Sequence, residues 1–382
     1  MKRFFQPVQK DGSFKKRGTG VLVDGKLENG EKVEKLENGV GGGGGGAEEG
    51  EDPAKFLSWN ANSFLLRVKN NRAEVFELVR RCDPDVIALQ EIRVPAAGRN
   101  PSAMKDDTSA ARADKQAIFR ALSEEPLSEY QAWWSLAGSK YSGTALLIKK
   151  CFKPISVTFC LDMSAAPGAH ESDGRVIIAE FKTFRLLNTY VPNNGWKDEE
   201  LGFKRRRKWD KRVFNFVTQP CKKPIIWCGD LNVSHQDVDV TDPEFFRNAK
   251  QKGYIPPNKE DIGQPGFTPA ERQRFSKILA DGDLVDSYRW LHKGQEFDSG
   301  FTWSGNPVGM YRGKRMRIDY FLIPRQLVGR LLRSDILGSG IELEGFCGSD
   351  HSPITLELTK CSKDVAEAGD SRRDPITDEV DL

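Results

Sequence analysis

Histidine is scarce in this sequence and closely paired cysteine is absent, and both shortages restrict its chemistry. The 382 residues include 4 histidines and 7 cysteines, and no two cysteines are spaced as Cys-X-X-Cys. Zinc ribbons and disulfide frameworks require closely spaced cysteines, so the sequence argues against both. An odd number of scattered cysteines is typical of a protein from a reducing compartment.

Long apolar runs and a large charge excess are absent as well. No stretch of about 18 apolar residues is present, so we expect no membrane helix. The first residues, Met1 to Pro7, lack the apolar core of a secretory signal. The formal net charge is only +3. A nucleic-acid partner therefore cannot be inferred from overall charge and has to be inferred from local patches.

Composition divides the chain into a central domain and two tails. Residues 1–52 are rich in glycine, and residues 361–382 are acidic and polar. Such segments bury too little apolar surface to offset their ordering entropy, so we expect both to be disordered. We expect a single catalytic domain over residues 53–360. The basic cluster at 15–17 is most simply solvated charge, with nuclear import or phosphate contact as alternatives.

Apolar runs bounded by turn residues predict a strand-rich fold. Strands are predicted at 55–63, 85–89, 130–134, 144–148, 176–181, 184–190, 224–228, 318–323 and 354–358. Helices are predicted at 67–82, 116–122, 201–216 and 269–279, the last capped by Thr268. Residues 95–116 are expected to form a surface insertion and 241–264 a polar loop. The order predicts an α/β fold with two packed mixed β-sheets flanked by helices.

Polar side chains follow the predicted strands where these end. In Gly229-Asp230-Leu231-Asn232 the two polar residues are two apart, so in an extended chain they face the same side. Alone, this stretch is equally consistent with an Asx turn. Ten residues share such a position: Asn60, Asn62, Glu91, Tyr190, Asn193, Asp230, Asn232, Asp319, Asp350 and His351. A rim of carboxylates and amides suits a hard cation, Mg²⁺ or Mn²⁺, bound together with phosphate oxygens.

The predicted helix 201–216 carries many cations on one face. They are Arg205, Arg206, Arg207, Lys208, Lys211 and Arg212. Helices often present such charge to water, so we expect this face to be solvated rather than functional.

Eight short motifs in this order resemble the exonuclease III family of apurinic/apyrimidinic endonucleases, within the endonuclease/exonuclease/phosphatase superfamily. They are Ser58-Trp59-Asn60, Leu89-Gln90-Glu91, Tyr141-Ser142-Gly143, Tyr190-Val191-Pro192-Asn193, Gly229-Asp230-Leu231-Asn232, Gly266-Phe267-Thr268, Arg317-Ile318-Asp319-Tyr320 and Ser349-Asp350-His351. The fifth and eighth are shared across the superfamily. The third, fourth, sixth and seventh indicate the DNA-repair branch.

The resemblance implies a four-layer α/β sandwich and Mg²⁺-dependent hydrolysis of duplex DNA 5′ to an abasic site, leaving a 3′-OH. It also implies 3′-phosphodiesterase or 3′–5′ exonuclease activity on 3′-blocked ends and a role in base excision repair. We therefore expect a nuclear protein, with the mitochondrion as an alternative. We expect a monomer that works with other base excision repair proteins.

The resemblance also implies roles for the strand-end residues. Asp230 would activate the attacking water, Asn232 would stabilise the phosphorane, and Tyr190 would contact phosphate or assist the leaving group. His351, oriented by Asp319, would contact the scissile phosphate. Metal ligands are expected among Glu91, Asn60, Asn62, Asp230, Asn232, Asp350 and His351, and Asn193 would hydrogen-bond around the site.

Two positions depart from the family pattern. Asn62 stands where the family usually has an acid, which predicts weaker metal binding or another metal preference. Trp196 stands where some relatives place an arginine that probes the duplex. Its indole could wedge into the base stack or simply pack under the loop, and the sequence favours neither.

The loop before Asp319 is expected to shape a pocket for the abasic sugar. Its candidate lining residues are Phe301, Trp303, Met316 and Ile318, with Met310 as a candidate for insertion into a groove. An apolar pocket too small for a base would select an extrahelical sugar without one. Four cations of this loop are predicted to contact phosphates: Arg312, Lys314, Arg315 and Arg317.

Two other functions fit parts of the sequence. A phospholipid or inositol-phosphate hydrolase would share the superfamily motifs, but the basic, aromatic loop 301–317 argues against it. A nucleic-acid-binding protein without catalysis is disfavoured, because Glu91, Asp230, Asn232 and His351 are all present.

Overall fold

Two mixed β-sheets of six strands each form the centre of the fold. The computed structural model describes residues 51–194, 199–221, 223–248, 256–293, 300–306, 308–338 and 346–360. The predicted tails, apart from residues 51 and 52, lie outside these ranges, and so does Trp196. No helix within the described ranges is both long enough and apolar enough to cross a membrane.

The strands follow one another along the whole described chain. They are β1 (Lys55–Asn60), β2 (Val86–Gln90), β3 (Ala96–Ala97), β4 (Asn100–Met104), β5 (Tyr130–Ser135), β6 (Thr144–Lys149), β7 (Ser156–Thr158), β8 (Val176–Glu180), β9 (Arg185–Tyr190), β10 (Ile225–Asp230), β11 (Leu284–Asp286), β12 (Trp303–Ser304), β13 (Arg315–Met316), β14 (Asp319–Pro324), β15 (Leu331–Ile336) and β16 (Ile354–Leu358).

Helices lie between these strands. They are α1 (Phe64–Asn70), α2 (Arg72–Cys82), α3 (Ser109–Leu122), α4 (Glu199–Thr218), α5 (Pro243–Arg247), α6 (Pro269–Asp281) and α7 (Ser287–Leu291). Short 3₁₀ turns occupy Leu127–Glu129, Asp237–Asp239, Lys259–Asp261 and Arg325–Arg330.

Each sheet contains one parallel pair of strands at its centre. The first sheet has the order β15-β16-β1-β2-β6-β5, and the second has the order β11-β14-β10-β9-β8-β7. The parallel pairs are β1 with β2 and β9 with β10, and the other neighbours are antiparallel. Because parallel strands end on the same side, each pair brings two carboxyl-terminal ends to one edge of its sheet.

The two sheets pack face to face, and helices cover their outer faces. Phe56 of the first sheet lies between Phe184 and Phe321 of the second, at ring-centroid distances of 5.8 and 6.4 Å. Buried residues of α1, α2 and α3 cluster with the outer face of the first sheet, as those of α4 and α6 do with the second. The predicted four-layer sandwich is confirmed.

Several local predictions were wrong. The predicted helix 67–82 is two helices, because Asn71 leaves helical geometry between α1 and α2. The expected insertion 95–116 folds into the β3–β4 hairpin and the start of α3, whose cap is Thr108. The loop 241–264 contains α5. Helix α6 is confirmed with its predicted cap, and Glu271 completes a capping box with Thr268.

The glycine of the central motif allows β10 to lie close against β9. Gly229 has a φ of +128°, and a β-carbon there would lie 2.0 Å from the carbonyl oxygen of Thr189. No side chain fits that gap without moving backbone. The sequence position before Asp230 is therefore restricted to glycine by contact as well as by conformation.

We predict that Gly229→Ala lowers the free energy of unfolding by about 2–4 kcal/mol. The added methyl group would push β10 away from β9. Denaturant titration followed by fluorescence measures the change. Gly329→Ala is the matched control, because nothing lies within 4 Å of its added β-carbon. Equal stabilities for both variants would contradict the prediction.

Candidate active site

The ends of four central strands bring the predicted polar residues to one edge of the sandwich. Asn60 ends β1, and Glu91 directly follows β2. Tyr190 ends β9, and Asp230 ends β10. Asp319 begins the antiparallel strand β14, where it is the register partner of Asp230. The fold therefore places these side chains at the facing edges of both sheets.

Asp230, Asp319 and His351 form a buried cluster at this edge. One potential ligand atom from each lies within 4.8 Å of the others. The Nδ1 atom of His351 is 2.8 Å from Oδ2 of Asp319. His351 is held from behind, since its backbone N–H donates to Ser349 and its carbonyl accepts from the Trp59 indole.

The two carboxylates of this cluster give it an unusual charge state. Burial would lower the pKa of His351, but Asp319 and the other nearby carboxylates raise it to about 10. Burial and the neighbouring Asp319 raise the pKa of Asp230 to about 7. At neutral pH the imidazole is therefore cationic, while Asp230 can readily accept a proton.

The side-chain amide of Asn60 connects the two halves of the site. Its Nδ2 atom lies 2.9 Å from Asp230 Oδ2, 3.3 Å from Glu91 Oε1 and 3.4 Å from His351 Nε2. Its Oδ1 atom accepts from the backbone N–H of Asn62 at 3.0 Å. These contacts bring Asn60 together with Asp230, Glu91 and His351, and its predicted role stays a prediction.

Glu91 is the carboxylate of the other half of the site. Its Oε1 atom accepts a hydrogen bond of 2.7 Å from the Tyr190 hydroxyl. Its Oε2 atom forms an ion pair with Arg93, a residue that the sequence reasoning missed. Burial alone would raise the pKa of Glu91, but Arg93, Tyr190 and other partners hold it below its usual value. Glu91 is therefore ionised.

Asn232 is fixed by its neighbours in the turn after β10. Its backbone N–H donates to Asp230 at 2.9 Å, and its Nδ2 atom donates to the carbonyl of Val191 at 2.9 Å. Its Oδ1 atom accepts from Asn193 at 3.0 Å. The left-handed backbone at Asn232, with a φ of +47°, turns the chain at this point. Asn193 therefore supports Asn232, as well as lying beside the site.

At this edge of the sandwich, two buried carboxylate oxygens accept no hydrogen bond from the described residues. They are Oδ1 of Asp319 and Oδ1 of Asp350. The other oxygen of Asp350 accepts from the Trp303 indole at 3.2 Å. Burial raises the pKa of Asp350, which a nearby cation would reverse. Such unsatisfied oxygens, with Glu91 nearby, fit the oxygen donors that a hard divalent cation prefers.

Asn62 lies next to this set but contributes differently from an acid. Its side chain is half-buried, and its backbone has a left-handed φ of +42°. The contact that the structure shows for it is the backbone donation to Asn60. Its predicted share in metal binding stays a prediction.

The predicted pocket residues separate into a buried group and a surface group. Phe301, Met316 and Ile318 are buried, whereas Trp303 is half-buried and Met310 is 47% exposed. Trp303 pairs with Met316 in the β12–β13 hairpin and forms a β-bridge with His351. Trp303 therefore contacts Asp350 and His351 directly.

The predicted phosphate contact of Arg317 is wrong. Its side chain is almost fully buried, and it forms ion pairs with Asp239 at 2.9 Å and Asp286 at 2.6 Å. A buried arginine needs such partners, because desolvating an unpaired charge is costly. The exposed Arg312 keeps its predicted role, whereas Lys314 forms an ion pair with Asp242.

The expectation of a wholly solvated face on α4 is also wrong. Arg206 is buried and donates to the carbonyls of Leu231 at 3.1 Å and Asn232 at 2.8 Å. It also pairs with Asp210 at 2.8 Å. Arg206 therefore holds the turn that carries Asn232, although its place in a run of cations predicted an exposed side chain.

Arg175 is another residue that the sequence reasoning missed. Its Nη1 atom donates to the carbonyl of Tyr190 at 2.9 Å, and its guanidinium lies 4.7 Å from the centroid of that ring. Its Nη2 atom donates to the hydroxyl of Tyr141 at 2.9 Å. A buried cation on the ring face fixes the position of Tyr190. In the sequence, the only indication of this contact was that Arg175 is a basic residue directly before strand β8.

Comparison with known proteins agrees with this geometry. The sequence model of the Endonuclease/Exonuclease/phosphatase family matches residues 57–351. A DNA-(apurinic or apyrimidinic site) endonuclease from Arabidopsis thaliana is 56% identical over 372 residues, which are 96% of this chain and 99% of that relative. One from Plasmodium falciparum (isolate 3D7) is 35% identical over 340 residues, covering 79% of this chain and 54% of that relative.

A solved structure has the same fold. The AP endonuclease LMAP from Leishmania major superposes with a TM-score of 0.59 at 22% identity, covering 80% of this chain and 88% of that one. The rim of buried carboxylates, an imidazolium and amides is that of a phosphodiesterase, and the chain belongs to the endonuclease/exonuclease/phosphatase family. Within this family, it groups with the apurinic/apyrimidinic endonucleases.

We predict that Asp319→Asn lowers the pKa of His351 from about 10 toward its usual value of about 6.5. The variant removes the negative charge that stabilises the imidazolium. Because the folded-state pKa is raised, the stabilisation from His351 is complete below about pH 6.5 and is lost as pH rises through about 10 in the native protein. NMR titration of the ring protons in metal-free protein measures the shift.

Asp335→Asn is the control for this titration. Asp335 faces His292 at 3.6 Å on the surface, so its loss should leave the pKa of His351 unchanged. An Asp319→Asn variant that keeps a His351 pKa near 10 would show that Asp319 is not the stabilising partner.

Proposed function

We propose that this protein hydrolyses the phosphodiester 5′ to an abasic site in duplex DNA and leaves a 3′-OH. The observation that carries the proposal is the buried Asp230–Asp319–His351 cluster, which places a proton acceptor beside a fixed cation. Two relatives of this protein, at 56% and 35% identity, are named DNA-(apurinic or apyrimidinic site) endonucleases. Phosphodiester hydrolysis needs this combination, because charge neutralisation and a positioned water lower its barrier.

A cation in this mechanism would be held mainly by carboxylates. We assign Glu91 and Asp350 as its principal ligands, with Asn60, Asn62, Asp230 and Asn232 around them. A bound divalent cation, Mg²⁺ with Mn²⁺ as a substitute, supplies neutralisation of the phosphate charge. His351 is protonated at neutral pH and bonded to Asp319, so it serves the phosphate rather than the metal.

The remaining residues divide the chemistry among them. Asp230, with its pKa raised to about 7, takes the proton of the attacking water. The imidazolium of His351 binds a non-bridging phosphate oxygen, and the amide of Asn232 donates to the developing charge. The Tyr190 hydroxyl donates to Glu91 at 2.7 Å and orients this carboxylate, and it would have to release that bond to contact phosphate or assist the leaving group.

The substrate side of the site is the loop that follows residue 300. Trp303 contacts Asp350 and forms a β-bridge with His351, so it borders the reacting phosphate. Phe301, Met316 and Ile318 are buried, Met316 is the register partner of Trp303, and we propose that the exposed Met310 enters a DNA groove. We propose that this apolar wall receives the baseless sugar, since unstacking is least costly where the base is missing.

Further aspects of the biology are proposed on the same basis. A site that accepts a sugar without a base also suits blocked 3′ ends, so we propose accompanying 3′-phosphodiesterase or 3′–5′ exonuclease activity. We propose that the protein acts as a monomer in base excision repair with other repair proteins. We propose the nucleus as its compartment, with the mitochondrion as an alternative.

We predict metal-dependent nicking of a duplex that carries a single tetrahydrofuran abasic analogue. The product should end in a 3′-OH one phosphate 5′ to the analogue, resolved on a denaturing gel. Chelation with EDTA should abolish the cut, and Mg²⁺ should restore it. An intact duplex of the same sequence is the control. Equal cutting of both duplexes, or no cutting with Mg²⁺, would refute the proposed substrate.

We predict that Asp230→Asn reduces kcat by about 10³-fold while binding of the abasic duplex is retained. The amide keeps the shape of the residue but cannot accept the proton of water. Single-turnover cleavage and fluorescence anisotropy measure the two quantities. The surface variant Asp335→Asn should cleave normally. Rapid cleavage by Asp230→Asn would exclude Asp230 as the base.

A further inference from the structure

We propose that Arg93 competes with the divalent cation for Glu91 and, once displaced, binds a phosphate of the substrate. Metal binding and DNA binding would then be coupled through one guanidinium. This inference rests on the proposed metal-dependent function. It concerns a residue that neither the strand-end pattern nor the catalytic roles above include.

Both oxygens of Glu91 are occupied in the metal-free protein. Oε1 accepts from Tyr190 at 2.7 Å and from Asn60 at 3.3 Å, and Oε2 is paired with Arg93. A divalent cation can reach Glu91 fully only if one of these partners moves. Tyr190 and Asn60 are neutral and buried, whereas Arg93 is itself a cation. The guanidinium is therefore the partner that a metal displaces, because two cations would compete for one carboxylate.

The backbone of Arg93 is fixed by a hydrogen bond, whereas its side chain is partly exposed and can move. Its backbone N–H donates to the carbonyl of Ser142 at 3.0 Å, in a left-handed conformation with a φ of +54°. Its side chain is 18% exposed, whereas that of Glu91 is 4% exposed. The guanidinium is therefore partly exposed to solvent, whereas the carboxylate that it pairs with is buried.

The surrounding charges favour this exchange. Arg93 is paired with Glu91, and Asp350 lies close enough to interact with it electrostatically. An arginine side chain stays charged in proteins, so it balances these carboxylates. A cation on Glu91 and Asp350 would remove that balance and repel the guanidinium, which then needs a new anion. A phosphate of the DNA backbone is the anion that the substrate supplies, and arginine binds it with two hydrogen bonds.

The first test measures metal affinity without DNA. We expect Arg93→Gln to bind Mn²⁺ about tenfold more tightly than the native protein, as measured by electron paramagnetic resonance. Calorimetry with Mg²⁺ should give the same order. Arg93→Lys, which keeps the charge, should remain close to the native protein.

Arg205→Gln controls for the loss of one positive charge near the site. Arg205 donates to the carbonyl of Asn193 at 3.1 Å but pairs with no carboxylate in the described part of the chain. We expect its Mn²⁺ affinity to change less than twofold. Unchanged or weaker Mn²⁺ binding by Arg93→Gln would overturn the inference. Equal tightening by Arg205→Gln, or no detectable Mn²⁺ binding in any protein, would overturn it as well.

The second test measures the coupling itself. In the Asp230→Asn background, Mg²⁺ should tighten binding of the abasic duplex, and Arg93→Gln should remove about tenfold of that tightening. Without metal, Arg93→Gln should bind the duplex within twofold of its parent, because the guanidinium is then held by Glu91. Equal Mg²⁺-dependent tightening in both proteins would overturn the coupling.

These outcomes are distinguishable from failure of the proposed function. An enzyme that does not nick abasic DNA but shows the Mn²⁺ shift would lose its proposed substrate and keep the cation exchange. An enzyme that nicks abasic DNA but shows no Mn²⁺ shift would keep its function and lose this role of Arg93. Thermal melts of each variant show whether the fold is retained.

Discussion

The carboxylate of Asp319 sets the charges of the site, because it acts on two neighbours in opposite ways. It lies 2.8 Å from the His351 ring and holds that ring cationic. Together with burial, it also opposes ionisation of Asp230, whose pKa rises to about 7. One buried carboxylate thus helps to create both a cation for the phosphate and a proton acceptor for the water. Environments that separate the pKa values of neighbouring groups are a general way to assign acid and base.

The scaffold maintains this balance through buried polar contacts rather than through the apolar cores alone. Asn60 donates to Glu91, which follows a strand of the first sheet, and to Asp230 of the second sheet. Arg206 donates to the carbonyls of the turn that carries Asn232. Such groups are costly to bury unless every partner is in place. Because an unpaired buried polar group is costly, few other arrangements of the site residues are stable once the two sheets have packed.

The sequence predicted the four layers and most strands, because buried strands leave apolar runs that end at turn residues. It also predicted that the strand-end residues converge, since parallel strands end at one edge. It failed for Arg206 and Arg317, which look like surface charge but are buried against partners distant in sequence. Arg206 donates to the carbonyls of Leu231 and Asn232, and Arg317 pairs with Asp239 and Asp286. It also missed the ion pair between Arg93 and Glu91. This pair depends on a left-handed backbone turn, which residue spacing does not reveal. Long-range ion pairs leave no periodic signal, so sequence patterns cannot reveal them.

The strand order of the first sheet has a consequence for synthesis on the ribosome. Strand β16 lies between β15 and β1, so the last strand of the domain completes the sheet that the first strand begins. His351 precedes β16 and contacts Trp59 across 292 residues of sequence. A nascent chain that has emerged only through β15 has neither a closed first sheet nor an imidazolium beside Asp319. The first sheet and the Asp319–His351 pair can therefore be completed only after residues 351–358 have left the ribosome.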